Sequence, residues 1–259
     1  MRKIVLLALV LGSLGTALSA DVLEFTPFAG YTSLNMGSVN KAQASYDGII
    51  QEAIYSSSSS YSFSNSYLSG AWMVGGDLLT KRLTPWKSLS LGLRGEFLGT
   101  NKATENVGLG TEFIDYSESG SLSSFMLGGR YDLPGANHGL KLSVGAFGGL
   151  GYAAMAQDFH VNSGGSAYDQ NGLYCGEGFV GDVDFRLDWT IPGLTWLKVN
   201  AQTGYRYASL GDLHNGHGDP LEGPGKYLNQ LEPSTYPPQP AVDVDFSGLT
   251  VGGGLTFSF

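Results

Sequence analysis

Leu249 to Phe259, LTVGGGLTFSF, closes the chain. Its odd positions, Leu249, Val251, Gly253, Leu255, Phe257 and Phe259, are apolar or small, whereas Thr250, Gly252, Gly254, Thr256 and Ser258 are small or hydroxylic. Successive side chains of a β-strand point to opposite faces, so this stretch presents two unlike surfaces.

The same period of two recurs upstream. Counting this one, eight segments of about ten to thirteen residues alternate, the length a tilted strand needs to cross a bilayer. Their apolar rows run Leu23 to Tyr31, Leu68 to Leu78, Leu89 to Phe97, Phe125 to Leu133, Leu140 to Tyr152, Phe179 to Trp189, Leu197 to Tyr207 and Leu249 to Phe259. No charged residue falls in these rows. The opposite rows hold Glu24, Asp77, Arg94, Glu96, Arg130, Asp132, Lys141, Asp182, Asp184, Arg186, Asp188, Lys198 and Arg206. The two faces therefore meet different solvents. A soluble β-sandwich also alternates, but its strands are usually shorter, about five or six residues.

Connections alternate as well, with short turns at 80–87, 134–139 and 191–195 and long ones at 35–65, 101–119, 157–176 and 211–243. Long structureless loops count against a compact soluble domain. In a membrane barrel they are expected on the external side. Aromatic residues on the apolar rows fall near the strand ends: Phe25, Tyr131, Trp189, Phe257 and Phe259 on one side, Tyr31, Tyr152, Phe179, Tyr205 and Tyr207 on the other. These are the interfacial girdles of a bilayer protein. The expected fold is all-β: a closed antiparallel up-and-down transmembrane β-barrel of eight strands with four long external loops. Eight strands enclose an interior that side chains just fill. The near balance of inward charges predicts a lumen network involving Arg94, Glu96, Asp182, Asp184, Arg186 and Arg206 rather than an open channel.

At the other end of the chain, Arg2 and Lys3 precede an apolar run from Ile4 to Leu11 and small residues through Ala20. That order matches a secretory signal peptide, so residues 1–20 are expected to be cleaved and 21–259 to form the barrel domain. Loss of Arg2 and Lys3 takes the net charge from −9 to −11, which argues against a nucleic-acid partner. Cys175 is the only cysteine, which leaves no internal disulfide; it reads as a small loop side chain. High glycine and aromatic content with few charges fits a β protein, and no long amphipathic helical period is visible after residue 20.

On strand count, loop rhythm and the terminal LTFSF, residues 21–259 resemble the small outer-membrane β-barrels of the OmpA membrane-domain and OmpX type. The resemblance is architectural. It implies the outer membrane of a Gram-negative bacterium, contact with its lipid and lipopolysaccharide, and a monomeric state. It further implies that Leu255, Phe257 and Phe259 form the signal read by the barrel assembly machinery. No peptidoglycan-binding domain is expected after Phe259.

Candidate chemistry is sparse. HNGHGD, His214 to Asp219, could offer two imidazoles and a carboxylate to a metal, but the spacing is not helical and a solvated Gly-rich turn is the simpler reading, so no metal or cofactor is expected. Lipid A acyltransferases and deacylases share such a barrel. Here Asp158, His160 and Ser163 occupy one loop without those families' patterns, so no catalytic residues are assigned. SSSSSYSFSN, Ser56 to Asn65, reads as a mobile loop before an adhesive sheet edge, and LEPSTYPPQP, Leu231 to Pro240, as an extended segment. Thirteen acidic residues against Lys41, Lys102 and Lys226 make the external loops acidic. The expected role is a non-enzymatic barrel that supports envelope integrity or external contacts, including an external ligand met through the loops; the alternatives are narrow porin-like transport of ions or small apolar solutes and lipid A modification.

Overall fold

The computed structural model describes residues 23–55, 62–81, 88–109, 112–135, 139–163, 166–223 and 241–259. The signal segment, His138 and Leu231 to Pro240 lie outside the described residues. Ten strands and one helix follow in the order β1 Leu23–Ser33, α1 Gly37–Tyr55, β2 Ser62–Ser66, β3 Gly70–Lys81, β4 Leu89–Thr100 and β5 Ala103–Leu109. The remaining strands are β6 Glu112–Asp132, β7 Leu140–Ser163, β8 Ser166–Thr190, β9 Leu197–Ser209 and β10 Gly248–Ser258.

Eight of these strands close a ring, β1-β3-β4-β6-β7-β8-β9-β10, with β10 returning antiparallel to β1. The closing register aligns Phe25 with Phe257 and Thr32 with Thr250. Beyond the last strand residue, the Phe259 N–H donates to the Leu23 carbonyl at 2.9 Å. Closure removes the edge that hydrocarbon would not tolerate.

The facing of the wall agrees with the alternation. Trp72, Leu150, Leu249, Val251, Val183 and Phe185 are exposed on the outside, while Asp77, Arg94, Asp182, Asp184, Arg186 and Arg206 are buried within. Exposed apolar side chains in this number on every barrel strand suit lipid rather than water. The girdles are also visible in the packing. Tyr31 meets Trp72 edge-on at 5.6 Å on the external side, and Trp196 stacks on Phe257 at 6.2 Å on the inner side. Gly70 is required at its place in the first pair, since a Cβ there would lie 1.8 Å from the Tyr31 hydroxyl.

Four expectations need correction. Leu68, assigned to the outward row, is fully buried in the barrel mouth. The alternation breaks at Tyr67–Ser69, which precede β3; the Leu68 amide there bonds the Asn40 side chain, turning the chain inward. The long external connections are not structureless: β6, β7 and β8 continue 21, 24 and 25 residues, and with β2 and β5 they form a five-stranded external sheet. Ser62–Ser66, read as part of a mobile loop, is the edge strand β2, paired to β5; residues 56–61 lie outside the described set. Cys175, placed in a loop, is paired in β8 opposite Ala154.

The helix was also unexpected. The face that α1 and the residue before it bury is Met36, Val39, Gln43, Tyr46 and Asp47, spaced at three and four residues. Two of the five are polar, so the apolar period that normally announces a helix is missing.

Val183, near the middle of the outward apolar row Phe179 to Trp189 of β8, tests the facing. Val183→Arg should destabilise the folded barrel by about 2 to 4 kcal/mol in denaturant titration from lipid vesicles, and Ser45→Arg on the exposed side of α1 should change it little.

Candidate functional site

Two layers fill the lumen. The deeper layer is ionic, and Asp77 stands at its centre. Its Oδ1 accepts from Arg94 Nε at 2.7 Å, and its Oδ2 from Arg94 Nη2 at 3.0 Å, Arg130 Nη2 at 3.3 Å and Arg186 Nη1 at 3.5 Å. Arg94 also reaches Asp182 Oδ1 at 3.0 Å and Asp184 Oδ2 at 2.8 Å. Arg130 donates to Asp184 Oδ1 at 2.7 Å, and Arg206 to Glu96 and, at 3.5 Å, to Asp182. Arg186 closes the layer on Asp188 at 3.2 Å. The Arg94 guanidinium lies 4.0 Å from the centroid of the Phe147 ring and 5.3 Å from that of Phe28, which adds cation–π attraction.

Paired guanidinium forks suit this task because each offers several fixed donors to carboxylates. The wall makes room for them. A Cβ on Gly145 would sit 3.0 Å from both Asp184 oxygens and 3.1 Å from Arg130 Nη2. All six residues named from the sequence are therefore in the layer. Asp77, Arg130 and Asp188 were identified as inward but not as members of the network; their spacing along separate strands carries no hint of which charges meet across the lumen. Toward the inner mouth, Lys198 pairs with Glu24 at 2.5 Å and Lys141 with Asp132 at 2.5 Å.

Above the ions the filling turns apolar. Leu98, Leu122, Met155, Val180 and Ala208 from the wall meet Leu210, Leu213, Leu221, Val242, Val244 and Phe246 from the fourth external connection, with Met36 and Val39 leading into and lying on α1. This upper plug was not foreseen, because its residues are scattered through a segment that shows no strand period.

Higher still, α1 covers the concave face of the external sheet. Tyr46 packs among Val107, Tyr116, Phe159 and Val161. One helical position on, Asp47 accepts from Asn65 Nδ2 and from the Tyr67 hydroxyl, both at 2.7 Å. Glu105 of β5 is buried against Asp47, and burial, then hydrogen bonding and repulsion from that neighbour, push its carboxyl up to about 9. Tyr67 rises to about 12, chiefly through its bond to Asp47. Glu118 of β6 is raised to about 7 by burial, against hydrogen bonds from Tyr116 and Gln157 that hold it lower.

The convex face of that sheet bears a groove of about 290 Å3, lined by Lys102, Thr104, Asn106, Asp115, Ser117, Asp158, His160, Asp169 and Asn171 together with Tyr116 and Phe159. His160 Nδ1 pairs there with Asp169 across β7 and β8. Asp158 and His160, read as loop residues, share a face of β7, and Ser163 ends the same strand. HNGHGD forms a turn organised by Asn215, whose side chain accepts from the His217 and Asp219 amides at 2.9 Å and donates to Asp219 at 2.9 Å. Among the described residues, no three His, Cys, Asp or Glu side chains converge on a metal position. Of the three terminal residues expected to form an assembly signal, Leu255 and Phe259 point outward and Phe257 stacks on Trp196.

A closed eight-strand ring with a lipid-facing exterior and a polar, filled interior decides the architecture. It is that of a closed up-and-down transmembrane β-barrel, similar in kind to the small outer-membrane barrels. No family model matches the sequence, and no curated protein aligns with it. Among solved structures, Ail, the attachment invasion locus protein of Yersinia pestis, is 10% identical, with 90% of this chain and 98% of that one covered and a TM-score of 0.37. OprG from Pseudomonas aeruginosa is 13% identical, with 93% and 96% covered and a TM-score of 0.38. Neisserial surface protein A is 10% identical, with 93% and 98% covered and a TM-score of 0.35. At such values the architecture rests on the strand pairing of this chain.

Asp77 holds three guanidinium groups, so its loss should be the most costly of any single lumen acid. Asp77→Ala is expected to destabilise by about 3 to 5 kcal/mol, the usual range for stranding buried charge, and to lower the temperature at which the barrel loses heat-modifiable gel migration.

Proposed function

We propose that the protein is a Gram-negative outer-membrane barrel that carries an external sheet for contacts outside the cell and does no chemistry of its own. The filled lumen carries this reading: an ionic layer anchored on Asp77 lies beneath an apolar plug built from Leu210, Leu213, Leu221, Val242, Val244 and Phe246. A wall occupied in this way serves as an anchor, and the parts that extend beyond the lipid are β2, β5, α1 and the long arms of β6, β7 and β8. The groove on the convex face, with hydroxyl, amide, carboxylate and imidazole groups side by side, is the contact surface offered to the outside. Lipid and lipopolysaccharide surround the exposed rows of Trp72, Leu150 and Val251. Leu255, Phe257 and Phe259 address the chain to the assembly machinery, and the barrel acts as a monomer.

Planar-bilayer recording of the purified full-length protein tests the anchor role against transport. No stable unit conductance is expected, and a reproducible single-channel step would overturn the reading. Mass spectra of lipid A should be the same with and without overexpression, and the same again for His160→Ala.

A further inference from the structure

The buried acids beneath α1 have no part in an anchor. Asp47 of α1 and Glu105 of β5 are both nearly inaccessible to solvent, and Asn65, which donates to Asp47 at 2.7 Å, is the cross-strand partner of Glu105, so the two carboxyls meet where helix and sheet join. The contacts around them come from several elements. Asn65 of β2 and Tyr67 after it donate to Asp47 Oδ2. Tyr46 of α1 lies one residue away, and Tyr116 and Glu118 of β6 follow along the same wall, with Gln157 of β7 bonded to Glu118 and to the Glu222 carbonyl. Lys41 and Lys102 are exposed, and among the described residues no Lys, Arg or His forms an ion pair with either carboxylate. Asp47 Oδ1 and both Glu105 oxygens are buried without a hydrogen-bond donor as long as both groups are ionised.

Two buried carboxylates in contact without a cation cannot both remain charged at low cost, whereas one proton between them turns repulsion into a hydrogen bond. We propose that Asp47 and Glu105 share a proton that latches α1 onto the external sheet, so that acid tightens this cap and alkali releases it. The hinge is visible at the other end of the helix. There Met36 and Val39 are packed into the plug, the Asn40 side chain bonds the Leu68 carbonyl at 2.8 Å, and the Asn35 amide bonds the Ser247 carbonyl. Release of the Asp47 end would swing the helix about this fixed first turn. It would uncover the apolar concave patch of Val107, Tyr116, Phe159 and Val161 at the cell surface.

The sign follows from proton uptake. Glu105 has its carboxyl raised from 4.5 to about 9 when α1 is docked, so docking binds a proton throughout that interval. The latch is at full strength below pH 4.5 and weakens by up to tenfold in the docked-to-released ratio for each pH unit toward 9.

Spin labels attached after Ser45→Cys on α1 and Asn106→Cys on β5, in full-length protein carrying Cys175→Ser and folded in lipid vesicles, read the distance directly. One short distance is expected at pH 5, with a longer population growing toward pH 9. Glu105→Gln, which keeps a donor and cannot ionise, should hold the short distance at both values. If that variant does not yield a heat-modifiable barrel, Asp47→Asn serves instead and should diminish the long population at pH 9. Identical distributions at pH 5 and 9 in the unsubstituted latch, or a long population that grows equally in the variant, would overturn the proposal. So would calcium chloride restoring the short distance at pH 9, since the pair would then be a metal site.

Discussion

A backbone amide in hydrocarbon has no water to bond, and each one left alone costs several kcal/mol. This single demand shapes the molecule. It requires the sheet to end where it began, with β10 beside β1 and the Phe259 amide on the Leu23 carbonyl. Once the ring is closed its two faces cannot be exchanged, so every strand must deliver apolar side chains outward and everything else inward. The charges are enclosed as a consequence, and they must then satisfy one another. Four arginines gathered around Asp77, Glu96, Asp182, Asp184 and Asp188 are the solution this chain adopts.

Such a layer is costly to build and more costly to break. Desolvating nine charges offsets much of their mutual attraction, so the layer does more for uniqueness of the wall's register than for net stability. Shifting one strand by a single residue would put its ions in lipid and its leucines in the lumen. The apolar plug above has a different origin. It draws on chain that leaves the membrane at Ser209 and returns at Gly248, and it buries surface by the ordinary hydrophobic effect in a region where water is available outside.

The barrel wall was legible in the sequence because lipid and lumen impose opposite chemistry at alternate residues. Val183 and Asp182 can be sorted by inspection. Pairing inside the lumen was only partly legible, since Arg94 meets Asp182 across 88 positions of chain and nothing local records the meeting. Outside the membrane the signal failed. Strands β6 to β8 continue into residues with both faces in contact with protein or water, so the alternation dissolves into sequences such as EFIDYSES, and Gln43 and Asp47 break the apolar stripe of α1. The candidate latch residues, Asp47 and Glu105, looked like two more surface acids among the thirteen in the loops. Only the helix that covers them makes them buried.

The terminal strand has one further property. β10 is the only barrel strand without a charged residue, and its inward Thr256 reaches neighbours through its hydroxyl, as in the 3.0 Å contact with Thr26. Its removal would leave every guanidinium–carboxylate contact of the central layer intact. The charged interior is accordingly independent of β10, which is tied into the wall by its backbone ladders to β1 and β9 rather than by ions.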